Sequence, residues 1–285
     1  MQSPVHVISG LPRSGSTLLS ALLLQNPRFH AGISSPVLPL MTNLIDMMSA
    51  GGGPVMVTDE QRRSIVKGVF DGFYASTGRE VVFDTNRAWT ARLPLLQDLF
   101  PGAKVIACVR DMPWIMDSFE RVIRQSPYEK TRMFAGAPDH TTVYGRTEAL
   151  GSQNGVVGGP WCALREAYYG PQSQSLLIVE YELLAHSPEK VLRLVYDFIG
   201  EPWYSRHDFE NVEFNADDFD AALGLRGLHA VRPRVAFEPR KTILPPDVWK
   251  RYEDKSFWRD PAGSAAHVIA ARGKDTTKSI QVTER

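Results

Sequence analysis

Eight residues near the start of the chain have the types and spacing to do chemistry: Gly10, Leu11, Pro12, Arg13, Ser14, Gly15, Ser16 and Thr17. A short apolar run, 5–8, leads in, and an apolar helical pattern, 18–24, leads out. A strand, a glycine turn and a helix in this order aim successive backbone N–H groups and the positive end of a helix dipole at one point. That is a phosphate cradle. Gly10, four residues and Gly15 reproduce the frame of the nucleotide-binding G-x-x-x-x-G-K-[ST] loop, but Ser16 stands where that loop has its lysine. Arg13 is the one cation in the turn. In kinases and ATPases the lysine reaches the β/γ-phosphates and the following Ser/Thr holds Mg²⁺. This turn is therefore suited to cradling a terminal phosphate and poorly equipped to move a γ-phosphoryl group. A plain strand-to-helix turn capped by Ser14 or Ser16 is the competing interpretation.

The remaining pattern supplies elements that can hold such a turn. Apolar strand runs at 80–83, 104–109 and 175–179 alternate with helical patterns at 37–48, 59–77, 89–100, 113–124, 161–169 and 188–199. This alternation predicts a single α/β domain with a central, mostly parallel sheet flanked by helices, like the P-loop nucleotide-binding folds. Ligands of such sheets sit beyond the carboxyl ends of the strands. The polar residues that follow the strands, Asp84 to Arg87, Arg110-Asp111 and Glu180-Tyr181, should then share one rim with the opening turn. Arg110, with Ser118 two helical turns on, suits a second phosphate, because a guanidinium offers a planar fork to phosphate oxygens. Pairing of Arg110 with a strand-end carboxylate is the alternative. The segment 125–160 is rich in Gly, Pro, Thr and Asn and reads as a lid or insert. The domain is assigned to 1–272, with 273–285 as a flexible tail.

Composition narrows the function classes. Lys+Arg and Asp+Glu both number 32, so the formal net charge is zero and argues for neither nucleic acid nor a membrane surface as partner. No apolar stretch approaches the roughly 18 residues of a membrane span. The two cysteines, Cys108 and Cys162, read as buried thiols of a cytoplasmic protein. A small-molecule acceptor or ligand is the expected partner, with the oligomeric state open.

The opening turn, together with Val109-Arg110-Asp111 and Ser118, resembles the sulfotransferases that use 3′-phosphoadenosine 5′-phosphosulfate (PAPS). Residues 178–184, 186–189 and 199–203 are similar to the strand–helix–helix of the tyrosylprotein and bacterial branch, so the resemblance spans about 5–205 and weakly the basic segment beyond. It implies transfer of a sulfuryl group to a hydroxyl or amine of a small or medium metabolite, without a metal, leaving adenosine 3′,5′-bisphosphate (PAP). It also implies that Arg13, Ser14, Gly15, Ser16 and Thr17 hold the 5′-phosphosulfate end, that Arg110 and Ser118 hold the 3′-phosphate, that Tyr181 lines the cofactor site, and that Arg240 and Lys241 close over the phosphates. The catalytic base does not carry over. The region matching the tyrosylprotein branch's glutamate, 32–35, has no carboxylate, and 84–87 lacks the Lys-x-His of the cytosolic branch. Asp84 at its strand end is the first candidate base and His30 the second, with Arg87 in place of the family's lysine. The 37–48 helix and the aromatics Phe70, Phe73, Tyr74 and Trp89 are candidates for an acceptor pocket or for plain core. Two rival functions stay open: a kinase-like phosphotransferase and a non-catalytic nucleotide-binding protein.

Overall fold

The computed structural model describes residues 4–125, 128 and 140–271. Six parallel strands form one sheet in the order β2-β3-β1-β4-β5-β6. They are β1 (Val5–Gly10), β2 (Phe29–Ala31), β3 (Val81–Thr85), β4 (Val105–Val109), β5 (Leu176–Glu180) and β6 (His267–Ile269). The helices in chain order are α1 (Ser16–Leu24), α2 (Val37–Ser49), α3 (Gly53–Met56), α4 (Asp59–Tyr74), α5 (Leu93–Leu99), α6 (Met112–Gln125), α7 (Val143–Gly151), α8 (Gly158–Tyr169), α9 (Tyr181–His186), α10 (Pro188–Ile199), α11 (Asp217–Leu223) and α12 (Pro246–Tyr252).

The strands lack polar alternation because both faces of the sheet are covered. Val7, Val105, Ala107 and Ile178 point into one core with helices α2, α4, α6 and α8. Ile8, Ile106, Cys108 and Val179 point into the other, against α1 and α10. The period of two along each strand divides the residues between these cores. β1 lies in the middle, paired with β3 on one side and β4 on the other. The turn after β1 is therefore flanked by the carboxyl ends of both neighbours.

The expected α/β architecture is present, and several local details differ from the sequence reading. The edge strands β2 and β6, three residues each, are too short for a periodic signal. Part of 125–160 is helical: α7 occupies it, and α8 begins at Gly158 rather than 161. Gly155 and Gly158 fold back so closely on carbonyls of 149–152 that an added Cβ would collide, which is why this junction is glycine-rich. Residues 126–127 and 129–139 of the suggested lid, like the tail beyond 271, lie outside the described residues. Helix α4 is capped by Thr58 with Gln61 in a capping box. Cys108 is buried and its thiol is pushed up to about 12 by burial, but Cys162 is exposed on α8.

Candidate functional site

The turn after β1 owes its shape to three left-handed residues: Gly10 at φ 98°, Arg13 at φ 57° and Gly15 at φ 88°. Gly10 leaves no alternative, since a Cβ there would lie 2.3 Å from the Cys108 carbonyl oxygen on β4. At Gly15 a Cβ would lie 2.8 Å from the Tyr181 ring. The first bond of α1 runs from the Leu19 N–H to the Gly15 carbonyl at 2.9 Å, so the N–H groups of Ser16, Thr17 and Leu18 have no acceptor within the helix. No side chain caps this end, and the Ser14 hydroxyl is turned to the Pro12 carbonyl at 3.2 Å. The capping alternative is thereby removed, and the open donors face a cleft of about 730 Å³.

Arg13, Gly15, Ser16, Thr17, Arg87, Arg110, Ser118, Tyr181 and Arg240 all line this cleft. The opening turn and the β4–α6 pair, far apart in sequence, are in direct contact: Arg13 Nε donates to Ser118 Oγ at 2.9 Å. The Arg110 guanidinium lies 4.3 Å over the Tyr181 ring and donates from Nε to Glu182 Oε1 at 2.9 Å. The strand-end carboxylate that pairs with Arg110 is thus Glu182, and not Asp111. Glu182 Oε2 is buried without a hydrogen-bond partner among the described residues, and burial, which raises this carboxyl's pKa, outweighs Arg110, which lowers it.

Positive charge accumulates here. Besides Arg13, Arg87, Arg110 and Arg240, the cleft is lined by Arg121, Arg232 and Arg234; Glu238 is the one carboxylate among the described lining residues, while Glu182, Asp117 and Glu210 pair with four of these arginines from its wall. Burial, followed by the charge of Arg110, lowers the Arg13 pKa to about 10. Arg87 lines the cleft, where partial loss of hydration lowers its pKa. Arg240 is tied to Asp117 Oδ2 at 2.8 Å. Asp117 is fully buried on α6 and also accepts from the Ile243 N–H at 2.8 Å and the Thr242 hydroxyl at 3.1 Å. Burial alone would raise its pKa, but Arg121, these hydrogen bonds and Arg240 together hold it below the usual range. Asp117 thus fastens the late basic segment to α6 beside the cleft. Lys241 contributes only its backbone there: its carbonyl accepts from Arg121 at 2.5 Å, and the residue is exposed and does not line the cleft.

The candidate bases read from the sequence lie elsewhere. Asp84 is wholly buried behind the cleft and accepts hydrogen bonds from Ser35, Tyr74 and Trp89. With both oxygens engaged, it joins α2, α4 and the 3₁₀ turn Arg87–Arg92 to β3. His30 sits on the edge strand β2, its ring edge-on to Tyr74 at 5.2 Å, and does not line the cleft. Burial, then Arg79, lowers its pKa. Phe70, Tyr74 and Trp89 belong to the core, and Phe73 is exposed against Tyr74. The apolar wall of the cleft comes instead from Ile33, Val156, Phe219, Leu223, Leu228, Val231 and Val235.

The sequence did not single out a histidine of the cleft. His229 lines it, with Nδ1 2.5 Å from Oδ1 of the buried Asp220. No motif marks a histidine nine residues after an aspartate; only the fold shows the pair.

A model described as "Sulfotransferase family" matches residues 4–205. Protein-tyrosine sulfotransferase 1 of Danio rerio is 27% identical over 208 residues, which is 70% of this chain and 54% of that protein. The protein of the same name from Homo sapiens is 31% identical over 116 residues, 38% of this chain and 31% of that protein. The chain thus spans about half the length of the zebrafish relative. Among solved structures, a sulfotransferase domain from the curacin biosynthetic pathway gives a TM-score of 0.54 at 16% identity, covering 90% of this chain and 92% of that one. A mouse sulfotransferase complexed with PAP gives 0.51 at 13% identity, covering 90% and 84%. These two likenesses establish a shared fold. The matching family model, which runs from β1 past the end of α10, shows more: the chain belongs to the sulfotransferase family.

Proposed function

We propose that this protein transfers a sulfuryl group from PAPS to a hydroxyl or amine of a small or medium metabolite. The observation that carries the proposal is the contact between Arg13 and Ser118 at 2.9 Å, which joins the phosphate-type turn to the Arg110–Ser118 pair in one cleft. A nucleotide with anionic groups at two ends matches a cleft with two sets of anion donors. The donors suit it chemically: open N–H groups at the start of α1 and guanidinium forks.

PAPS, when bound, supplies an activated sulfuryl group that passes in line to the acceptor. The N–H groups of Ser16, Thr17 and Leu18, with Arg13, neutralise the charge that grows on the departing 5′-phosphate oxygen. Such donors are preorganised and need no rearrangement during the step. Arg110 and Ser118 hold the 3′-phosphate, and Arg240, fixed by Asp117, closes the same side. Arg87 places a further cation at the end of β3, and Tyr181 packs against Gly15 beneath the turn. The missing P-loop lysine agrees with this assignment, since no β/γ-phosphate has to be reached.

Isothermal calorimetry tests the proposal. PAP should bind in the low micromolar range or tighter, and ATP with Mg²⁺ at least tenfold more weakly. Labelled PAPS should be turned over with at least one of benzyl alcohol, 2-naphthol and benzylamine. Tight ATP binding without PAP binding would assign the cleft to a phosphotransferase. PAP binding without turnover on a wider acceptor panel would favour a non-catalytic protein.

A further inference from the structure

The cleft contains a histidine–carboxylate pair that no family motif supplies, since both members lie beyond the matched segment 4–205. The pair is rigidly built. Asp220, on α11, is 1% exposed and grips His229 twice, accepting from its backbone N–H through Oδ2 at 2.9 Å and bonding Nδ1 through Oδ1 at 2.5 Å. The Asp220 backbone is engaged as well: its N–H donates to the Ala216 carbonyl and its carbonyl accepts from Leu225. Phe219 meets the imidazole edge-on at 5.3 Å.

This arrangement dictates the proton inventory of the ring. A carboxylate can only accept, so Nδ1 carries the hydrogen and Nε2 is the bare nitrogen of the neutral ring. Nε2 has no hydrogen-bond partner among the described residues, while the residue itself lines the cleft. Burial is the largest influence on the imidazole and lowers its pKa. Asp220 raises it, and Arg13 and Arg87 lower it. The ring is therefore neutral near pH 7, the form able to take a proton. The two arginines that it feels are those of the opening turn and of the end of β3, the side assigned above to the transferring group.

We infer that His229 is the general base of the reaction, accepting at Nε2 the proton of an acceptor alcohol, with Asp220 as its positioning residue. This inference rests on the sulfotransferase function proposed above. The acceptor O–H bond breaks toward Nε2, the oxygen lone pair forms the bond to sulfur, and the sulfur–oxygen bond to the 5′-phosphate breaks with its electrons remaining on PAP. The apolar wall of Phe219, Leu223 and Leu228 beside the ring suits an alcohol borne on an apolar body.

Two measurements test the base. Nitrogen-15 NMR of the free protein reads the tautomer of His229 without any ligand. We expect a protonated Nδ1 and a bare Nε2, and a neutral ring protonated at Nε2 would overturn the assignment. His229→Gln should bind PAP within twofold of wild type by calorimetry and lose at least tenfold in turnover of labelled PAPS with benzyl alcohol; a smaller loss overturns it. Asp220→Asn, which preserves shape, should lose the tautomer preference and also at least tenfold in turnover, and retention of both would overturn its positioning role. Failure of the wild type to bind PAP would defeat the proposed function and leave the tautomer result standing, so the two failures can be told apart.

Discussion

Arg110 meets three partners at once: the Tyr181 ring under its face, the Trp114 ring 5.9 Å away and the Glu182 carboxylate at Nε. Using Nε for Glu182 leaves the terminal nitrogens of the guanidinium for a phosphate. Charge-assisted contacts of this kind are about twice as strong as neutral hydrogen bonds. Arg110→Ala should weaken PAP binding at least tenfold, about 1.4 kcal/mol or more. The same change strips the half-buried Glu182 of its counter-charge and should lower the melting temperature. In Arg110→Ala/Glu182→Gln stability should recover while PAP affinity stays low. Calorimetry and thermal melts of the two variants separate the roles, and PAP binding within twofold of wild type in either would remove Arg110 from the site. Sequence alone proposed this arginine from its place after an apolar strand; it offered no way to choose among the carboxylates nearby.

At the scale of elements, the cleft floor depends on a buried carboxylate that binds nothing outside the protein. Asp84, inside β3 one residue before its end, receives the Ser35 hydroxyl before α2, the Tyr74 hydroxyl at the end of α4 and the Trp89 indole N–H. Burial, followed by the Asp84 charge, pushes the Tyr74 phenol far above its ordinary pKa, so it remains a donor. An amide in place of the carboxylate would turn a donor toward these donors. Asp84→Asn should therefore cost about 2–4 kcal/mol of stability, the scale of a broken buried network. PAP affinity and turnover of the folded fraction should be preserved within about threefold, a margin of about 0.7 kcal/mol. Urea unfolding together with calorimetry checks this. Loss of turnover at intact stability would return Asp84 to the chemistry. The sequence placed Asp84 on the ligand rim, after a strand ending at 83, but β3 runs on through Asp84 to Thr85. What the sequence lacked was the direction of the side chain, which is set by tertiary packing of three separated donors.

For the whole molecule, the balance of 32 basic and 32 acidic residues hides a steep local asymmetry. Among the described residues, seven arginines line one cleft, and the four carboxylates Glu182, Asp117, Glu210 and Glu238 pair with five of them, which leaves positive charge in excess. Cations gathered in a concave, partly apolar site focus the field and draw in anions. PAP affinity should then fall as salt rises. Raising ionic strength from about 0.01 M to about 0.5 M, which shortens the Debye length several-fold, should weaken binding at least tenfold. Salt-independent affinity by calorimetry would contradict electrostatic capture. Part of this was determined by the linear chain. The β1–turn–α1 unit is local: φ-permissive glycines at 10 and 15 and adjacent apolar runs specify it without distant help, and buried parallel strands announce themselves as continuous apolar stretches. That is why the α/β class and the opening turn could be read from residue order. Folding alone decided that Arg13 touches Ser118, that Asp117 holds Arg240, that Asp84 faces inward and that Asp220 presents His229 to the cleft. Each of these is a contact across elements, set by how the helices pack on the sheet, and side-chain identity along a chain carries no record of which distant group will lie within hydrogen-bonding reach.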